Sequence, residues 1–324
     1  MPSPSAIFTE LVSTTWRNHA KDVKDNITRN NALYSRMTKK GMIRTEDGGL
    51  SIVQPLDYNS NGTYQRYSGY DILNIQQSDV ITAAEFQWRQ IALNIVASGL
   101  ELRTNSGSNK IVSLAKSRIK NAMRTFKNNF SYDIYADGSL PNQIGGLQAL
   151  VADSGTGTVG GIDSSAWPFW QSTVQSAAAP IQGGGAVTVS ATTIETGIML
   201  PLWLQQVRGD DKPDLIVASN DWFSFYEASQ VSIKRYTSAE DVSGGFTSLK
   251  YKNADVIFDG GSGIPNSRMY FLNTDYLEMV VHKDANLTMP EDLKPYNQDA
   301  VVMPVLWMGN MVCSNRRLQA VARP

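Results

Sequence analysis

The chain has 324 residues, 42% of them hydrophobic, and a formal charge of −1. That is enough apolar material for one large or two moderate cores. The near-zero charge excludes a dedicated free nucleic-acid binder, which would be basic overall, so any contact with a polyanion must come from a local patch. Cys313 is the only cysteine, which excludes an intrachain disulfide or a multi-cysteine zinc site and fits a reducing compartment.

From Ser5 to Lys40 there is neither glycine nor proline, and Ile7, Leu11, Trp16, Ala20, Val23, Ile27, Tyr34 and Met37 recur at near-helical spacing. One helix or two in tandem are expected, ending at Gly41. A terminal amphipathic segment of this length is either core or an arm that packs on a neighbour, with Leu11, Trp16, Val23 and Ile27 as its contact residues. No signal-peptide run and no stretch of about 18 apolar residues occurs, so no membrane span is expected and the protein is read as cytoplasmically made.

A long hairpin is expected next. Leu50–Leu56 reads as the outward limb, 57–62 as a polar tip ending in Asn61-Gly62, and 63–76 as the return. Tyr58, Tyr64, Tyr67 and Tyr70, with Arg66, give it contact area of the kind common at interfaces. A two-stranded ribbon is marginal in water, which points to support from outside the subunit. Ala83–Ala97 then alternates in one phase and afterwards the other, so a bulge or bend is expected near Arg89.

Ser108 to Tyr135 carries Ile111, Ala115, Ile119, Ala122, Met123, Phe126 and Phe130 on one helical stripe, uninterrupted by glycine or proline. Such a helix acts as a spine. Its other faces carry Lys110, Lys116, Arg118, Lys120, Arg124 and Lys127, either a solvated face or a surface for a polyanion such as DNA.

The stretch 138–185 is rich in glycine and small polar residues, punctuated by Trp167, Phe169 and Trp170, and reads as irregular structure anchored by aromatics. Gly155, Gly157 and Gly160 match G-x-G-x-x-G, but no helix opens there and no carboxylate follows at the spacing a ribose needs, so loop glycines are the better reading. Further on, 192–208 suits a helix that tolerates Pro201, Leu215–Ala218 a buried strand, and Ser219 or Asn220 the cap of a helix through Glu227. Strands are expected at 256–258, 269–272, 276–282, 301–313 and 318–321, the last two looking like core strands returning to the first region.

Catalytic constellations are thin. His19 and His282 are the only histidines, and no nucleophile elbow, phosphate-binding lysine loop or H-E-x-x-H occurs. Asp210, Asp211 and Asp214 cluster beside Gly209 and Pro213, where a solvated turn is favoured over a metal site. No cofactor and no metal is expected, and the weight moves from an enzyme to a structural role.

The ordered set Glu85-Phe86-Gln87-Trp88, Gln143 to Leu150 (QIGGLQAL), Val159 to Asp163 (VGGID), Pro213 to Ala218 (PDLIVA) and Met269 to Leu277 (MYFLNTDYL) resembles the major capsid proteins of tailed bacteriophages. The resemblance implies an α+β HK97-like capsid fold. Its parts are an N-terminal arm (1–41), an extended hairpin loop (42–82), a peripheral domain with the spine helix 108–135 (83–187), an axial domain (188–298) and a return to the peripheral domain (299–324). It further implies a protein that self-assembles as hexamers and pentamers into an icosahedral shell around double-stranded DNA, located in the virion capsid and assembled in the host cytoplasm. A portal and a decoration protein are implied partners. Because the arm begins almost at once, a separate scaffolding protein is expected rather than a cleaved segment. In this picture Tyr58, Asn61, Gly62, Tyr64, Arg66, Tyr67 and Tyr70 meet a neighbouring subunit, as do the four arm residues, and Lys110, Lys116, Lys120, Arg124 and Lys127 are candidates to face DNA. A phage tail or baseplate structural protein remains an alternative, and an enzyme with a dispersed site a more distant one.

Overall fold

The computed structural model describes residues 31–104, 108–230, 248–259, 263–290 and 297–324, with side chains described outside 102–116 and Ser248. The arm residues Leu11, Trp16, Val23 and Ile27, and His19, lie outside the described residues, as do the side chains of Lys110 and Lys116.

In chain order the strands are β1 Ile43–Glu46, β2 Ile52–Asp57, β3 Ile81–Phe86, β4 Arg89–Ser98, β5 Thr158–Val159, β6 Ile162–Asp163 and β7 Thr173–Ser176. They continue as β8 Leu215–Ala218, β9 Ser248–Tyr251, β10 Ala254–Phe258, β11 Met269–Leu272, β12 Leu277–Thr288, β13 Ala300–Cys313 and β14 Ala320–Arg323. Two larger sheets result, one ordered β1-β12-β13-β4 and the other β7-β14-β11-β8-β10-β9. The first is knit by a ten-residue antiparallel register, Ala300↔Ser98 through Gly309↔Arg89.

The spine helix runs over the expected Ser108–Tyr135. At about 1.5 Å per residue it is on the order of 40 Å long. Its apolar stripe packs on the first sheet: Ile119, Phe126 and Phe130 are buried, and Phe130 meets Trp307 of β13 edge-on at 5.1 Å. What stops the helix is the segment 143–150. Gly146 lies so close that an added Cβ would fall 2.4 Å from the Asp133 carbonyl oxygen, so only glycine fits. Gln148 Nε2 caps the last turn by donating to the Tyr135 carbonyl at 2.6 Å, and Gln143 Nε2 donates to the Asp133 side chain at Oδ1 at 2.9 Å. The motif QIGGLQAL is therefore the C-terminal stop of the spine.

The six-stranded sheet divides two cores. Leu215, Val217, Tyr270, Leu272 and Val321 face the core shared with the spine, while Ile216, Ala218, Met269, Phe271, Ala320 and Ala322 face a second core under the helices Leu200–Gln206 and Asn220–Ser229. This is the continuous apolar run of a strand buried on both sides. The chain crosses directly from one sheet to the other after β11 and after β13, each time through a 3-10 turn capped by an asparagine: Asn273 accepts from the Asp275 N–H and Asn315 from the Arg317 N–H. Gln319, fully buried, ties the crossings together, accepting from Asn273 N at 3.1 Å and donating to Asn273 O at 2.9 Å.

Four expectations are corrected. The return limb of the hairpin is not 63–76: β2 pairs with β3, Ile52↔Phe86 through Asp57↔Ile81, and residues 59–80 form an excursion without a strand. The phase change near Arg89 is a clean break, β3 ending at Phe86 and β4 starting at Arg89 in a different sheet. The region 192–208 is a π turn, Ile194–Met199, followed by the helix Leu200–Gln206. Pro201 is the reason. It has no N–H for the Gly197 carbonyl, which instead accepts from Gln175 Nε2 at 3.1 Å and Gln182 Nε2 at 2.9 Å. Finally, the return to the first sheet begins at Leu277 rather than near 299, and β14 does not join it but pairs with β11 and β7 in the second sheet. Short 3-10 links let the chain change sheets without a glycine or proline signal.

Candidate assembly surfaces

The base of the hairpin is held by its own subunit. One face of β2–β3 buries Ile52, Leu56, Ala84 and Phe86. Glu85 N donates to the Gly160 carbonyl at 2.9 Å, and a Cβ on Gly160 would meet Ala84 Cβ at 2.8 Å. The glycines of the G-x-G-x-x-G match thus serve close approach and turns, with left-handed φ at Gly155 and Gly160. Tyr58 belongs to this base. Its ring lies 5.9 Å from Trp167 and 5.5 Å from Phe169 of the same chain, and it is half-buried there.

Beyond Tyr58 the two limbs are joined by side-chain amides instead of a strand ladder. Gln65 Nε2 donates to Ile72 O at 3.0 Å and its Oε1 accepts from Asn74 N at 3.0 Å, while Asn74 Nδ2 donates to Gly62 O at 3.3 Å. Asn61 and Gly62 close the inner turn through Ser78 and Thr63. The tip so formed points large apolar side chains at solvent, with Tyr64 82%, Tyr70 105%, Ile72 93% and Ile75 92% exposed. Tyr67 and Arg66 are exposed beside them. Contiguous exposure of this kind marks an interaction surface.

The described end of the arm is the helix Ala32–Lys40, capped by Asn31 Oδ1 at the Tyr34 N–H and stopped by left-handed Gly41, as the spacing predicts. Leu33 and Met37 are fully buried, and Tyr34 packs edge-on against Phe130 of the spine at 5.6 Å. The opposite face is fixed by ion pairs: Arg36 to Asp255 at 3.1 Å, Lys40 to Asp214 at 3.0 Å and to Asp275 at 2.8 Å. Burial alone would lower the Lys40 pKa, but hydrogen bonds to Asp275 and Asp214 outweigh it and raise the value. Asp214 also accepts from Thr274 N and Oγ1, both at 2.7 Å. The expected solvated turn at 210–214 is corrected there: Asp214 is a hub that anchors the arm helix. Its role was hidden because its cations, Lys40 and Arg36 at 3.0 and 3.6 Å, lie far away in sequence.

On the spine, Lys120 and Arg124 are exposed and Lys127 is half-buried, its pKa lowered by burial. These three share one stripe. Arg118 points elsewhere, pairing with Glu101 at 2.6 Å and donating to the Val96 carbonyl at the end of β4. Sequence reasoning also missed Arg316. It is fully buried, donating from Nε to Leu150 O at 2.7 Å and from Nη1 to Trp170 O at 2.9 Å, and so ties the end of the spine stop and the aromatic anchor to the second crossing. Nothing in a basic pair announces that one member is internal. Asn310 acts likewise, donating to Gln87 O at 2.8 Å and accepting from Gly145 N at 3.0 Å.

Among the described residues no group of three or more His, Cys, Asp or Glu is placed to hold a metal, and no helix is long and apolar enough to cross a membrane. His282 packs against Trp88 at 5.7 Å and accepts the Asp284 N–H at Nδ1.

No protein-family model and no curated protein sequence matches the chain. Solved structures do. A cyanophage A-1(L) capsid asymmetric unit superposes with a TM-score of 0.64 at 16% identity, covering 87% of this chain and 90% of that one. A structure from Mycobacterium phage Bobi gives 0.54 at 9% identity with 89% and 90% covered, and the capsid of Myoviridae phage XM1 gives 0.53 at 11% with 89% and 91%. Nearly the whole length of both partners is matched, so the likeness is one of complete architecture. The chain has the HK97-like capsid fold.

Proposed function

We propose that the protein is the major capsid protein of a tailed bacteriophage, self-assembling into the icosahedral shell that encloses double-stranded DNA. The observation that carries this is the hairpin: a base fixed to its own subunit and a tip, residues 59–80, whose tyrosines and isoleucines are left exposed by the described residues. The fold shared with phage capsid structures supports it.

In this reading Asn61, Gly62, Tyr64, Arg66, Tyr67 and Tyr70 lie on an adjacent copy, and the arm with Leu11, Trp16, Val23 and Ile27 does the same. The unit around the spine is the peripheral domain, and the unit around the second core is the axial domain that meets its copies at the centres of hexamers and pentamers. Lys110, Lys116, Lys120, Arg124 and Lys127 face the packaged DNA through weak, sequence-independent contacts. A scaffolding protein, a portal and a decoration protein complete the partners, the role is structural rather than enzymatic, and the place is the virion capsid after assembly in the host cytoplasm.

The test is co-expression with the neighbouring head genes followed by negative-stain microscopy. Closed spherical shells are expected. Tubes, flat rings or only free monomers overturn the proposal, tubes and rings pointing to the tail or baseplate.

A further inference from the structure

Asn61-Gly62 is the only Asn-Gly pair in the chain, and it sits on the exposed inner turn of the hairpin tip. Three donors converge on the Asn61 side-chain carbonyl: Thr63 N at 2.9 Å, Thr63 Oγ1 at 2.8 Å and Ser78 Oγ at 3.2 Å. The same Ser78 Oγ accepts the Gly62 N–H at 3.0 Å. One hydroxyl therefore bridges the backbone nitrogen of Gly62 and the oxygen of the amide one residue before it. The Nδ2 amino group of Asn61 makes no hydrogen bond among the described residues.

The geometry points to Asn61 as a self-modifying site, at which the chain converts its own asparagine to aspartate and isoaspartate through a succinimide. Donors aimed at an oxygen where negative charge develops lower the barrier to attack on its carbon. As Gly62 N bonds to Asn61 Cγ, its proton passes to Ser78 Oγ and the Ser78 hydroxyl proton passes to Asn61 Oδ1. The hydroxyl proton on Oδ1 passes through solvent to Nδ2, the tetrahedral carbon collapses to the ring carbonyl, the Cγ–Nδ2 bond breaks and ammonia leaves into solvent. Water opens the five-membered ring at either carbonyl, so the sum is amide plus water to acid plus ammonia. Opening at the backbone carbonyl leaves an isoaspartyl link with one more carbon in the main chain. Both products add a negative charge to a tip whose exposed charged side chains are Arg66, Asp71 and Asp79.

This chemistry is intramolecular and does not depend on the shell-building proposal. It makes a demand that a sequence motif alone does not: Ser78, sixteen residues away, takes part. Gly62→Ala is a clean companion. Gly62 is not in the left-handed region, and an added methyl would meet Ser78 Oγ at 3.4 Å, ordinary contact, so the turn accepts alanine while attack by the more hindered nitrogen is slowed.

The experiment incubates the purified full chain at mildly alkaline pH and follows each asparagine by peptide mass mapping, with isoaspartyl methyltransferase labelling to detect the isoaspartyl form. Asn61 is expected to convert ahead of the exposed Asn59, Asn128 and Asn253, with both products present. Ser78→Ala is expected to slow it about five-fold, the factor one ordinary hydrogen bond supplies, and Gly62→Ala at least as much. Conversion at Asn61 no faster than at those three residues overturns the inference. So does an unchanged or faster rate in Ser78→Ala when circular dichroism and the urea midpoint match the parent.

Discussion

Replacing Tyr64, Tyr67 and Tyr70 by serine tests the proposed placement of the hairpin tip on a neighbouring copy. The three rings are 82%, 66% and 105% exposed and make neither a ring contact nor a side-chain hydrogen bond among the described residues. Their loss should leave the free subunit's urea midpoint within about 0.5 kcal/mol of the parent, as for surface changes elsewhere. Against a neighbour the account differs. Complete burial of an aromatic side chain is worth about 2 kcal/mol on transfer scales. Only part of that survives the costs of association, and about 1 kcal/mol per ring gives about 3 kcal/mol per contact, roughly a 150-fold loss in association constant. The assay pairs urea titration of the free subunit with sedimentation and microscopy of co-expressed particles. Intact shells at parental subunit concentration would refute the placement of the tip on a neighbour. A free subunit destabilised by more than about 1 kcal/mol would show that these rings are covered by their own chain.

Three further outcomes follow from the residues described above. Arg316→Met keeps the volume but strands the carbonyls of Leu150 and Trp170, and should cost about 2–5 kcal/mol in urea unfolding; a cost under about 1 kcal/mol means those carbonyls find water. Burial would raise the pKa of Asp221, but hydrogen bonds from Ser219 and Ser267 outweigh it and hold the carboxyl below its ordinary 3.8. Its stabilisation is therefore complete above that value and lost as pH falls through the lower folded one, so Asp221→Asn should flatten the loss of stability below pH 3.8 in acid titrations of the urea midpoint; parallel curves would count against it. Neutralising Lys120, Arg124 and Lys127 to glutamine should leave shells intact while lowering stably retained DNA, and should reduce the salt slope of DNA binding by up to about three, whereas normal genome retention would mean that the stripe pairs with protein.

The elements that a local rule specifies were legible from residues alone. The spine needed only its apolar stripe and the absence of breakers, Gly41 its left-handed stop, and Leu215–Ala218 its unbroken apolar run. The hairpin was legible as an extension but its pairing was not, because Asn61-Gly62 has the look of a two-residue β-turn. Here the asparagine side chain is committed to Thr63 and Ser78, and the ladder forms only below Tyr58. The sheet changes at Asn273 and Asn315 were invisible for a different reason. A polar residue between two apolar runs reads as a turn whether the chain folds back on one sheet or crosses to another. Likewise Asp214, Arg316, Asn310 and Gln319 act through partners from about 45 to over 200 residues away, where no local pattern reaches.

The distribution of polar groups is what the proposed shell-building role requires of the hairpin: an ordered extension instead of a loose loop. An extension ordered only on contact spends on the order of 1–2 kcal/mol per residue of backbone entropy at that moment, which for residues 59–80 would exceed any gain from its outward apolar side chains. Here the entropy is met beforehand. The base is anchored on Gly160, Trp167 and Phe169, and the limbs of the tip are tied by Gln65, Asn74, Asn61 and Ser78. Those amides direct their hydrogen bonds inward, which leaves Tyr64, Tyr67, Tyr70, Ile72 and Ile75 as the outward surface. Breaking the internal tie with Gln65→Ala should therefore weaken association while removing nothing from the contact surface itself, and the loss should appear mainly in the entropy of subunit association by calorimetry. An equal loss in enthalpy alone would mean that Gln65 touches the partner directly.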